Sequence, residues 1–239
     1  MSKICFLTSK LMDLKDENNE FAVQLREFWP MEGAKLLVAA SYPDSHVKTD
    51  EVAEEFVRDF LAAGFSVIQH LVLDTRNADK AVQLLEEYDV VILMGGYVPL
   101  QNEFFQKIQL REKIQKFDGI VIGISAGSMN SADVVYVQPE YDEDVREEFV
   151  KFREGLNLTK VQILPHYQKI KDDVLKGKRL FEDITYGDSW GKKFLALPDG
   201  SYVYQTGNQK ILCGEGYLIQ NGKIQPLTRK GQELDLYLL

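Results

Sequence analysis

Five brief apolar runs set the frame of this chain: Ile4 to Leu7, Leu36 to Ala40, Val67 to Leu73, Val90 to Met94 and Ile120 to Ile124. They are mostly Val, Ile and Leu, the signature of strands covered on both faces. Between them lie longer segments of another period. In Thr49 to Ala63 the residues Val52, Ala53, Phe56, Val57 and Phe60 recur at spacings of three and four, and Gly64 supplies a stop. Gln101 to Phe117 repeats the pattern with Phe104, Phe105, Ile108 and Ile114, which predicts one helix. Strand and helix alternating in this way predict a doubly wound, mostly parallel α/β sheet.

Beyond Lys193 the texture changes. Phe194 to Leu197, Tyr202 to Gln205, Ile211 to Cys213 and Tyr217 to Gln220 read as short strands broken by glycines, and Asn221-Gly222 is a two-residue hairpin signal. These predict antiparallel strands belonging to the same domain, so residues 1–239 are read as one unit. There is no linker-like stretch and no internal repeat. The acidic run Glu140 to Glu148 reads as a solvated loop or helix face, with a lid over a site as the sharper alternative.

Composition narrows the partners. A net charge of −9 opposes binding to phosphate backbones and to anionic lipid. No run of apolar residues is long enough to span a bilayer, and the opening residues do not form a signal peptide. Cys5 and Cys213 both lie in apolar segments and read as buried thiols of a reducing, cytoplasmic compartment. The three histidines and two cysteines are too scattered for a metal site, and no phosphate- or dinucleotide-binding fingerprint is present, so no cofactor is expected.

The densest chemical signal is Gly123-Ile124-Ser125-Ala126-Gly127, directly after the run Ile120 to Ile122 and before a short helix, Ser128 to Ala132. A strand–turn–helix of this kind lifts a serine hydroxyl out of a tight turn and aims helix N–H groups at a developing oxyanion. Ser125 is the expected nucleophile; Ser128, one turn into the helix, is better suited to hydrogen bonding there. A serine needs a base. Of His46, His70 and His166, the last ends an apolar stretch, where α/β sheets present functional side chains. Asp199, in Leu197-Pro198-Asp199-Gly200, is one candidate for the acid, although Pro-Asp-Gly also reads as a plain turn; Glu140, Asp133 and Asp142 are rivals. Gly95-Gly96, after the fourth run, would let the main chain approach a ligand, so the N–H groups of Gly96 and Ala126 are the expected oxyanion donors.

Taken in order, Gly95-Gly96, Gly123-Ile124-Ser125-Ala126-Gly127, Pro165-His166-Tyr167 and Leu197-Pro198-Asp199-Gly200 resemble the serine peptidases that include aspartyl dipeptidase (peptidase E) and cyanophycinase. The resemblance covers about residues 3 to 225. It implies a three-layer α/β/α sandwich similar to class I glutamine amidotransferases, with serine where those enzymes carry cysteine. It also implies Ser125 as nucleophile, His166 as base and Asp199 as acid. Aspartyl dipeptidase has glutamate at the matching acid position, and a carboxylate after the serine has been considered for that role, which makes Glu140 the reserve. The family usually continues its glycine pair with Asn-Thr, whereas this chain reads Gly95-Gly96-Tyr97-Val98. Tyr97 therefore alters the expected substrate-binding rim, and no basic residue matches the family's carboxylate-binding position. The expected activity is hydrolysis of small peptides or amides through an acyl-enzyme, with a homodimer left open. The competing readings are an α/β-hydrolase esterase, whose acid would have to lie between Ser125 and His166, and a non-catalytic small-molecule-binding protein.

Overall fold

The computed structural model describes residues 3–237. Five strands, β1 (Ile4–Thr8), β2 (Ala34–Ala39), β3 (Val67–Leu73), β4 (Val90–Leu93) and β5 (Ile120–Ile124), coincide with the five apolar runs. They pair in parallel in the spatial order β1-β5-β4-β2-β3. On the far side of β1 the sheet continues through Tyr202–Thr206, Gln209–Cys213 and Glu233–Asp235, all antiparallel, giving eight strands.

The helices include α1 (Glu20–Arg26), α2 (His46–Ala62), α3 (Ala81–Glu87), α4 (Val98–Lys107), α5 (Leu110–Ile114), α6 (Ala126–Asn130) and α7 (Tyr167–Ile170). Strand side chains alternate between two faces, and each face has its own helices. Cys5, Leu7, Leu37, Leu93 and Val121 pack with α3, α4 and α5. Phe6, Leu36, Val38, Ile92 and Ile122 pack with α1 and α2. This is a mixed α/β layered sandwich around a large, mostly parallel sheet.

Local chemistry sets the ends of these elements. Asn19 caps α1 by accepting the Ala22 N–H at 3.1 Å, with Glu20 in the first turn and Arg26 in the last, both favourable to the helix dipole. The helix expected over Gln101 to Phe117 is two helices. It starts earlier, at Val98, because Pro99 tolerates the first turn, and it breaks at Gln109, whose φ is +52°. The break lets Leu110 and Ile114 reach the same core as Phe104 and Phe105. The third run, read as a covered strand, is an edge strand: Ile68, Gln69 and His70 are exposed.

The C-terminal strands divide between two sheets. Tyr202–Thr206 and Gln209–Cys213 join the main one. Lys193–Ala196, Gly216–Gln220 and Lys223–Thr228 form a second sheet, joined by Gln162–Leu164. Lys193–Ala196 is antiparallel to Gly216–Gln220 and parallel to Gln162–Leu164. A third apolar cluster, including Ala126, Met129, Leu164, Phe194 and Ile219, joins α6 to this second sheet. No helix among the described residues is long and apolar enough to cross a membrane. Cys5 and Cys213 are buried free thiols, and burial pushes them up to about 12 and about 11.

Helix α6 sits tight on β4. A Cβ at Gly127 would stand 2.2 Å from the Leu93 carbonyl oxygen, a backbone atom with nowhere to go. Gly187 meets nothing within 4 Å. Gly127→Ala should therefore lower the unfolding free energy by about 3 kcal/mol or leave the chain insoluble, while Gly187→Ala should stay within about 0.5 kcal/mol of wild type. Urea denaturation of both variants checks the contrast.

Candidate active site

Parallel register brings several strand ends to one place. Leu93 and Gly123 are partners across β4 and β5, and Thr8 and Ile124 across β1 and β5. The residues that follow, Ser9, Gly95-Gly96 and Ser125, thus emerge side by side. In the second sheet, Leu164 pairs with Ala196, so Pro165-His166 and Pro198-Asp199 leave from adjacent ends. Carboxyl ends of parallel strands are where such folds bind ligands.

Ser125 has φ +51° and ψ −109°, an unusual conformation for any residue with a side chain. Its N–H donates to the Thr8 carbonyl at 3.0 Å. Ser128 is fully buried, its Oγ 2.8 Å from the carbonyl oxygens of both Thr8 and Gly123. Ser128 thus braces the turn, and the half-buried Ser125 presents its hydroxyl outward.

The Nε2 of His166 lies 2.9 Å from Ser125 Oγ, and its Nδ1 lies 2.6 Å from Asp199 Oδ1. A carboxylate can only accept, so Nδ1 carries the proton and Nε2 turns a lone pair toward the serine. His166 itself has φ +60° at the start of α7, and its N–H donates to Ser9 Oγ at 2.7 Å. Ser9 donates in turn to Asp199 Oδ1 at 3.1 Å, and Lys169 Nζ reaches Asp199 Oδ2 at 2.6 Å. Burial alone would raise the Asp199 pKa; the bonds from Lys169, His166 and Ser9 and the His166 charge outweigh it and hold the carboxyl at about 2.

The crevice in front of Ser125 has a volume of about 200 Å³. Gly96, Val98, Met129, Glu140, Pro165 and His166 are among the residues that line it. A larger hollow of about 560 Å³ beside Tyr88 and Phe117 holds no paired nucleophile and base, so chemistry rather than size singles out the site. Gly96 has φ +152°, and a Cβ there would stand 2.4 Å from Ser41 Oγ, so only glycine fits.

The other expected residues lie elsewhere. Glu140 does not meet the imidazole Nδ1; its carboxyl accepts the Val98 N–H at the start of α4. Tyr97 is not part of the crevice lining, and its hydroxyl donates to Asp144 Oδ1 at 2.7 Å. Asp133 pairs with Arg111 and Lys160, and Asp142 accepts the Lys176 N–H. His46 bonds Thr75 Oγ1, and His70 is exposed. The acidic run is a strap: Asp144 is buried and accepts the N–H groups of Glu140 and Tyr141, while Asp142 and Glu143 face water. Ser9 and Lys169 had no sequence signal of their own, beyond a position at a strand end and three residues past His166. Among the described residues no group of three or more His, Cys, Asp or Glu could hold a metal.

Glu140 is an exposed residue that also lines the crevice. Burial, with the Asp144 charge adding to it and the Val98 bond opposing, pushes its pKa up to about 7. An unfolded glutamate titrates near ~4.3. Between those values the folded chain holds the extra proton, so this group's contribution to stability is whole at the acid end and lost as pH rises through about 7. Glu140→Gln should therefore gain stability relative to wild type as pH climbs across this window. Urea midpoints measured at several pH values should diverge; a constant offset would mean an ordinary carboxyl.

Comparison with known proteins bears on the fold and the family. Among curated proteins none matches the chain with significance. A solved peptidase from an acI-B1 Actinobacterium superposes with a TM-score of 0.67 at 15% identity, covering 98% of this chain and 97% of its own. A peptidase E-like protein from Listeria monocytogenes EGD-e gives a TM-score of 0.57 at 17% identity, covering 95% of this chain and 100% of its own. These similarities establish the fold. The profile described as peptidase family S51 matches residues 6–213. The chain therefore belongs to peptidase family S51, and hydrolysis of the peptidase kind is its class of activity.

Proposed function

We propose that the chain is a serine-type peptidase or amidohydrolase acting on small peptides or amides through Ser125, His166 and Asp199. The observation that carries this reading is the unbroken chain of contacts from Ser125 Oγ to His166 Nε2 at 2.9 Å and from Nδ1 to Asp199 at 2.6 Å. Family membership supplies the reaction class.

His166 takes the hydroxyl proton of Ser125 as Oγ attacks the carbonyl carbon, and the imidazolium that forms rests against the Asp199 carboxylate. The N–H groups of Gly96, beside the serine in the crevice, and Ala126, at the start of α6, stabilise the oxyanion. His166 then gives the proton to the leaving amine, and water enters by the same route in reverse to release the acid. Lys169 keeps Asp199 ionised throughout, so the acid orients the ring without taking its proton. The crevice volume of about 200 Å³ is below the usual range for drug-sized ligands and suits one or two residues of a short substrate.

Ser125→Ala should abolish labelling by a fluorophosphonate probe and lower turnover by about 10⁴-fold or more. Asp199→Asn should leave the fold intact and lower kcat by about 10³- to 10⁴-fold, because the ring loses its fixed tautomer. Peptide mass mapping of the labelled protein and a dipeptide hydrolysis assay check both. Undiminished hydrolysis by the serine variant would refute the assignment.

A further inference from the structure

The lining of the crevice says what the substrate carries. Its walls are apolar: Val98, Met129, Pro139, Ile170, Leu175 and Leu180. Apart from His166, its ionisable side chains are carboxylic, those of Glu140 and Asp173, both of them exposed residues. No lysine or arginine lines it among the described residues. Lys169, three residues past His166, is paired with Asp199.

A carboxylate side chain entering this space would meet two carboxyl groups and an apolar wall, with no cation among the lining residues to compensate its lost hydration. An ammonium would meet the opposite. It would bring a counter-charge to Glu140, whose carboxyl is held by a backbone N–H and no cation. The small volume ties the ends together. In an aminoacyl group the ammonium nitrogen is two bonds from the carbonyl carbon, so one residue can place its nitrogen toward Glu140 and its carbonyl at Ser125.

We propose that the crevice receives an aminoacyl group with a free ammonium and an apolar, uncharged side chain, and that Glu140 is the ammonium's counter-ion; this rests on the peptidase reading above. It separates the chain from enzymes that select an acidic first residue. Glu140 is then a specificity residue rather than a spare member of the triad.

Ligand binding to the Ser125→Ala protein tests this without turnover. Calorimetry with leucinamide, N-acetylleucinamide and the α-amide of aspartic acid should show leucinamide bound most tightly. Acetylation should weaken binding by about tenfold or more, as loss of a charged hydrogen bond does, and the aspartyl compound should bind more weakly still. Adding Glu140→Gln should bring leucinamide and N-acetylleucinamide to similar affinity. The proposal is overturned if N-acetylleucinamide binds as well as leucinamide, if the aspartyl amide binds best, or if leucinamide does not bind. The acetylation comparison needs no change at Glu140, so it stands even where the double variant fails to fold. Fluorophosphonate labelling of wild type at Ser125 decides the hydrolase reading separately. A labelled protein without preference for the free amine would keep that reading and sink this one.

Discussion

The turn at Ser125 depends on a clamp that closes from three sides. Thr8 at the end of β1 accepts the Ser125 N–H, the Ser128 hydroxyl sits between the carbonyls of Thr8 and Gly123, and Gly127 rests on the Leu93 carbonyl of β4. A non-glycine residue at φ +51° costs on the order of 1–3 kcal/mol. Buried hydrogen bonds worth about 1 kcal/mol each offset that, provided the β1–β5–β4 register is held. A buried amide network holds it from behind. Gln101 donates to the Met94 carbonyl, Asn130 donates to Gln101 Oε1, and Asn102 donates to Asn130 Oδ1, so α4 and α6 are locked to each other and to the end of β4. The same lock fixes Gly96 and Val98 relative to the serine.

Two carboxyl groups serve the same small space and are driven in opposite directions. Burial raises both. At Asp199, bonds from Lys169, His166 and Ser9 overturn the burial effect and leave a carboxylate at about 2. At Glu140, a single backbone bond does not, and the neighbouring Asp144 charge adds to the rise, to about 7. Divergence of this sort separates roles. The first is a permanent anion suited to orienting an imidazole. The second holds its proton up to about pH 7 and would be stabilised as an anion by a cation beside it.

Much of this was legible in the letters. Burial on both faces leaves β-branched runs, so the parallel strands stood out, and the Gly-x-Ser-x-Gly turn advertised its own backbone. Other features depend on neighbours that no local pattern encodes. Apolar content did not show that β3 is an edge, because what covers a strand is decided by elements distant in sequence; only Val72 and Leu73 of that strand are buried. The period of three and four continued past Gln109 while the backbone did not. From the residues alone Asp199 and its rivals stayed open, and only the resemblance put Asp199 ahead of Glu140; what sets Asp199 beside His166 is the pairing of Leu164 with Ala196, a long-range fact about register. Ser9 and Lys169 were invisible for the same reason.

The departure at Tyr97-Val98 and the acid at Glu140 are best understood as one unit. Tyr97 does not line the crevice; its hydroxyl holds Asp144, and its ring packs 5.6 Å from that of Tyr141. Asp144 in turn takes the N–H groups of Glu140 and Tyr141, which bends the strap inward and delivers Glu140 to the Val98 N–H. The Tyr97-Val98 pair thus does more than shape the rim. It anchors an acidic strap, brings a carboxyl to the crevice and lines that crevice with an apolar side chain. The strap and the crevice are thus built together, apart from the contacts that join Ser125, His166 and Asp199.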